Sequence, residues 1–124
     1  MMGRIEIARV YDVQGDAPRF LVDRLWPRGV SKDSLGLTGW PKELTPSTQL
    51  RKDFHDGTLG WEEFSDAYRA ELDDADTEAA VAAIGEALAQ GDVVLLFAGK
   101  DTEHTHAAVL RDWMEGQLSA TAGG

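Results

Sequence analysis

Apolar positions change period several times along the chain, and each change marks an element. "IEIARVYD" alternates around Ile5 and Ile7, and "RFLVDRLW" holds a continuous apolar patch from Phe20 to Val22; both read as strands. The link between them, "DVQGDAP", is shorter than the roughly dozen residues of a parallel crossover, so the first two strands are expected to be antiparallel or unpaired neighbours. In that arrangement Tyr11 and Asp12 would lie at the opposite edge of the sheet from the end of the second strand.

Helical spacing follows. Thr45 or Ser47 can cap a short helix carrying Leu50 and Phe54, with Pro46 in its first turn, and His55 with Asp56 reads as its end. Trp61, Phe64, Tyr68 and Leu72 then share one face, with Glu62, Glu63, Asp66 and Arg69 on the others. At that spacing the aromatic residues read as core. Thr77 is placed to cap the next helix, Val81, Ile84 and Leu88 form its stripe, and Gly91 suits a left-handed position past its end. "DVVLLFAG" is apolar without alternation, as in a strand covered on both faces. A last helix over residues 103–118 carries Ala107, Leu110, Trp113, Met114 and Leu118 inward, and 119–124 is read as a flexible tail. The expectation is one compact α/β domain over 1–118, a small, mostly parallel sheet of about three strands covered by about five helices.

Length agrees with this: 124 residues make one core and not two. With no cysteine, disulfides, thiolate metal sites and thiol nucleophiles are excluded, and a cytoplasmic location is the expectation. The longest apolar run, "VVLLFAG", falls far short of the roughly 18 residues a membrane span requires. A formal charge of −10 disfavours nucleic acid and anionic membranes as partners. The charge is segregated, however. Acids crowd "WEEFSDAYRAELDDADTE", while Arg19, Arg24 and Arg28 fall within ten positions.

The second and third strands are joined by a long helical excursion, so they can run parallel with their carboxyl ends side by side, where open α/β sheets bind ligands. That edge would collect Asp23, Arg24 and Arg28 from one strand and Lys100, Asp101, His104 and His106 from the other. The segment from Thr102 to Thr105 opens a helix, whose free amides and dipole favour an anion. Arg24 and Arg28 could clamp a phosphate or carboxylate, with Asp101 orienting an imidazole or a water and His104 exchanging a proton. A metal between His104 and His106 is disfavoured, because residues two apart on a helix point about 200° from each other. His106, four residues before Leu110, falls on the apolar side and reads as a core histidine; His104 is the better ligand contact. "WPRG" reads equally as a packed Trp with a turn or as a phosphate clamp at Arg28. Glycine-rich phosphate loops, nucleophile elbows and dinucleotide fingerprints do not occur, and no cofactor is expected.

At "VDRLWPRGVSK", "LTPSTQLRKDFHD", "WEEFSDAYRAEL" and "DTEHTHAAVL" the chain resembles the YeaO-like family of small bacterial proteins, a domain of unknown function, from about Ile5 to Leu118. The resemblance implies a small α/β domain in which Asp23, Arg24, Trp26, Pro27, Arg28 and Gly29 match one motif and Asp101, His104 and His106 another. In that pattern "HNHA" or "HNNA" is usual where this chain has "HTHA", so Thr105 replaces an amide, and an alternation of His with Asn at position 106 argues against an indispensable metal ligand there.

The first expectation for function is therefore a small anionic ligand, phosphorylated or nucleotide-like, held by Asp23, Arg24, Arg28, Lys100, Thr102, Thr105 and His106, with hydrolysis or group transfer through Asp101 and His104. The rivals are a non-catalytic module that docks a protein through its acidic helices and, more weakly, a nucleic-acid binder using the arginines. Since no structural ion is expected, adding EDTA should leave the midpoint of thermal unfolding unchanged; a large drop would show that the His pair does hold a metal.

Overall fold

A computed structural model describes residues 3–13 and 15–122, the last four as backbone only. It contains strands β1 (Ile5–Arg9), β2 (Arg19–Leu21) and β3 (Val93–Phe97) and helices α1 (Lys32–Leu35), α2 (Thr48–His55), α3 (Trp61–Asp74), α4 (Glu78–Leu88) and α5 (His106–Ala122), with a 3-10 turn at Lys42–Leu44. The sheet order is β1-β3-β2 and both pairings are parallel. No helix among the described residues is long and apolar enough to cross a membrane.

β3 lies in the middle, which is why its sequence is apolar without alternation. Val93, Leu95 and Phe97 enter the larger core with Ile5, Phe20 and the inward faces of α2 to α5. Val94 and Leu96 enter a smaller core on the other face with Val10, Leu21 and Leu35, under Trp26 and Trp40. Period-two alternation of side chains thus feeds two apolar layers from one strand.

The expected antiparallel or unpaired placement of the first two strands is corrected. β1 pairs with β3 in register Ile5 to Val93 and runs in the same sense as β2, with β3 between them. The link reaches because β2 has only three residues. A chain spans up to about 3.3 Å per residue, so a short link can retrace a strand of about 10 Å and cross one neighbour. Tyr11 and Asp12 consequently sit at the same carboxyl edge as the ends of β2 and β3; the Tyr11 hydroxyl donates to the Arg28 carbonyl at 3.2 Å.

Three helix ends resolve or depart from the pattern. Ser47, not Thr45, caps α2: its Oγ accepts from the Leu50 amide at 3.1 Å, which leaves Pro46 outside the helix. Ser47 also donates from its amide and hydroxyl to the Glu71 carboxylate at 2.8 and 2.6 Å, fastening α2 to α3. Thr77 precedes α4 without a side-chain cap. α5 begins at His106 rather than 103, because the Asp101 carboxylate accepts from the amides of Glu103 and His104 and holds that stretch in a turn. α5 continues to Ala122, so the tail read at 119–124 is helical backbone up to that residue, and residues 123–124 lie outside the described chain.

Gly91 is not in the left-handed region, which Gly15, Gly29, Gly36 and Gly57 occupy instead. A β-carbon at Gly91 meets nothing within 4 Å. Gly91→Ala should therefore change stability by no more than about 0.5 kcal/mol or raise it slightly, whereas Ala at Gly36, with φ of 56°, should cost about 1 kcal/mol. Urea midpoints of the two variants decide this; a larger loss at Gly91 would restore the left-handed reading.

Candidate functional site

The edge is organised around Asp23. Backbone pairing continues past β2, with the Val22 amide on the Leu96 carbonyl at 2.9 Å, and this delivers Asp23 beside the end of β3. Asp23 is 8% exposed, and its Oδ2 accepts from the Ala98 amide at 2.8 Å. Its Oδ1 lies 3.0 Å from Nε2 of His106, the first residue of α5. The same nitrogen is 2.8 Å from the Val22 carbonyl. Both neighbours are acceptors, so Nε2 must carry the proton. The Asp23 carbonyl takes the indole N–H of Trp40 at 2.7 Å. Tyr68 forms a T-shaped pair with His106, ring centroids 6.2 Å apart, and donates its hydroxyl to the Leu44 carbonyl. Burial, then the charges of Glu71 and Asp23, push the Tyr68 phenol well above its ordinary range, so it stays a neutral donor.

Arg24 and Arg28 part company. Nε and Nη2 of Arg24 donate to the carbonyls of Pro46 and Thr45 at 3.2 and 3.4 Å, bracing the turn that leads into α2. Arg28 follows a buried Pro27 and precedes Gly29, whose φ is 74°. Trp26 closes the turn by donating to the Val30 carbonyl at 2.7 Å and packs edge-on against Trp40 at 5.4 Å. The Arg28 side chain is exposed, with no hydrogen bond or ion pair among the described residues.

The loop after β3 carries the remaining nominated residues. Asp101 lies on the surface; the amides of His104 and then Glu103 hold its carboxyl below the ordinary carboxylate range. With the folded value depressed, whatever this turn adds to stability is present above the ordinary carboxylate pKa and is lost as pH falls through the lowered one. His104 precedes the helix, is 56% exposed, stacks on Trp61 at 4.9 Å and 24°, and holds Nδ1 4.0 Å from Asp101 Oδ2. Lys100 and Thr102 are exposed. Thr105 is buried, its Oγ1 accepting from the Ala107 amide at 3.3 Å.

Between this loop and α2 lies a cleft of about 500 Å³. Of the nominated residues, Asp23, Lys100, Asp101, His104, Thr105 and His106 line it, whereas Arg24, Arg28 and Thr102 do not. α2 supplies Arg51, Phe54 and His55, which its i, i+3, i+4 spacing puts on one face, and α3 supplies Phe64. Arg51 and His55 escaped the reading of the sequence. The available signal was their flanking of Phe54 at helical spacing, but nothing local says that α2 crosses the mouth of the sheet. All three histidines of the chain thus border one cleft. Among the described residues no group of three or more His, Cys, Asp or Glu is placed to hold a metal ion. The two carboxylates of the lining are engaged within the protein, while Arg51 and Lys100 have no ion-pair partner among the described residues.

Residues 4–124 match the family described as the inactive DUF488-N3 subclade. The chain is 44% identical over 112 residues to "Uncharacterized protein YeaO" of Escherichia coli (strain K12), covering 89% of this chain and 96% of that protein. It is 35% identical over 116 residues to "Uncharacterized protein Rv3073c" of Mycobacterium tuberculosis (strain ATCC 25618 / H37Rv), covering 92% and 96%. No solved structure matches it. The chain belongs to the inactive DUF488-N3 subclade of this YeaO-like family.

The geometry divides the edge into scaffold and free surface, and stability measurements can test the division. Asp23→Ala should cost on the order of 3 kcal/mol, since it strips one of two acceptors from a mostly buried imidazole N–H and the acceptor from a strand-end amide, and leaves a hole at the junction of β2, β3 and α5. Arg28→Ala should cost about 0.5 kcal/mol or less. Urea melts giving the reverse order would make the Arg28 corner the scaffold.

Proposed function

We propose that this member of the inactive DUF488-N3 subclade is a cytoplasmic protein that binds a small anion, a phosphorylated or nucleotide-like metabolite, in the cleft at the carboxyl edge of its sheet, and performs no chemistry on it. The observation that carries the reading is the pair of cations without ion-pair partners, Arg51 from α2 and Lys100 from the loop after β3, on a cleft whose carboxylates are already occupied. An anion entering there meets two positive side chains that lose no intramolecular ion pair on engaging it.

The same geometry offers, among the described residues, no activated side-chain hydroxyl for hydrolysis or group transfer. A mechanism through a side-chain hydroxyl needs a free base beside it. Thr105 is the hydroxyl of the lining; it is buried and accepts a helix amide. Nε2 of His106 is engaged by Asp23 and the Val22 carbonyl, and His104 with Asp101 stands at 4.0 Å on the exposed rim. The family's description as inactive agrees with this. The acidic face of α3 keeps a protein-docking role in play, but no described feature there selects a partner. The absence of cysteine is compatible with a reducing cytoplasm.

The test is calorimetric titration with ribose 5-phosphate. Binding should weaken at least ten-fold in Arg51→Ala, about 1.5 kcal/mol or more, and stay unchanged in Arg28→Ala. Failure of both ribose 5-phosphate and AMP to bind, or loss in Arg28→Ala alone, would sink the site as drawn. Release of phosphate from p-nitrophenyl phosphate that depends on His104 would overturn the non-catalytic part.

A further inference from the structure

Building on the anion-binding reading, we infer that the anion this cleft accepts carries a flat aromatic ring, making the ligand an aromatic phosphomonoester of the nucleoside monophosphate class. The argument starts from the shape of the lining. A cleft of about 500 Å³ falls within the roughly 300–1000 Å³ typical of pockets for organic ligands, far more room than a bare phosphate needs. Its apolar wall is aromatic. Phe54 and Phe64 stack with centroids 4.6 Å apart and planes at 29°, Phe64 fully inside the core and Phe54 half-buried. Water gains little against such a wall, and a ligand made only of oxygens would bury it without recompense.

His104 supplies a second aromatic surface. It stands before α5, free of helical constraint, with its ring lying at 24° on the indole of Trp61. The indole covers one face, and the rest of a ring that is more than half exposed borders the cleft. A planar ligand extends an existing stack there, adding a further layer where Trp61 already fixes the orientation of the imidazole. The charged end follows from the cations. Arg51 and Lys100 come from different elements of the lining, one on α2 and one after β3, and two positive charges match the dianion of a phosphomonoester better than the single charge of a carboxylate.

The experiment compares four probes by calorimetry: AMP, phenyl phosphate, ribose 5-phosphate and inorganic phosphate, on the wild-type protein and on His104→Ala. The inference expects AMP or phenyl phosphate to bind at least ten-fold tighter than ribose 5-phosphate, and the advantage to shrink at least three-fold in His104→Ala. Because His104 is exposed and outside the helix, that variant should fold, and its circular dichroism and melting midpoint verify this. Equal binding of ring-bearing and ringless phosphates, still lost in Arg51→Ala, would overturn the aromatic ligand while the anion site stands. An undiminished ring preference in His104→Ala would overturn the stacking surface and with it this inference. No binding of any probe would remove both.

Discussion

One carboxylate ties together the three segments that meet at the edge of this sheet. Asp23 receives the first amide after β3 on one oxygen and the first side chain of α5 on the other, and its own carbonyl holds the indole of Trp40. It thereby sets the distance between two strand ends and the direction in which the last helix departs. A charge so nearly buried is tolerated only because each oxygen has a donor. Every buried side-chain nitrogen or oxygen among the described residues has a partner, and the edge is therefore a rigid frame and not a loose mouth.

That frame fixes where the cleft opens. With α5 starting at His106, the preceding residues cannot be helical, and the Asp101 carboxylate gathers them into a turn that carries His104 away from the core and onto Trp61. Arg24, from the same β2 end, grips the carbonyls ahead of α2 and so sets the approach of the helix that bears Arg51 and His55. The free side chains of the cleft are thus positioned by saturated ones.

Much of the frame was legible in the residues because it follows from short-range rules. The unbroken apolar run of β3 signalled a strand covered on both faces, and the long helical excursion signalled that β2 and β3 are parallel and close, as they are. His106 read as a core histidine because it precedes Leu110 by one helical turn, and its ring is indeed held among Val22, Asp23 and Tyr68. What escaped depends on three-dimensional closure. The sense of β1 turned on how short β2 is, a length that the patch from Phe20 to Val22 leaves open. Arg51 and His55 lie about fifty residues from the loop they face, and only the packing of α2 against the edge brings them there.

The motif that drew most notice, "VDRLWPRG", carries a lesson in its division of labour. Val22, Asp23, Arg24 and Trp26 all spend their polar groups on the protein's own backbone or on His106, and Pro27 with Gly29 shapes the corner. A stretch can be unusual because several of its residues each satisfy a separate backbone demand, and those demands restrict residue choice as tightly as a ligand would. Distinctive spelling here records how an edge is locked. The side chains left over for a ligand are an arginine and a histidine flanking Phe54, a lysine after β3 and an imidazole on a tryptophan, residues whose types are common and whose meaning comes only from meeting. In a small domain, the surface that can bind is what remains once the frame has taken its partners.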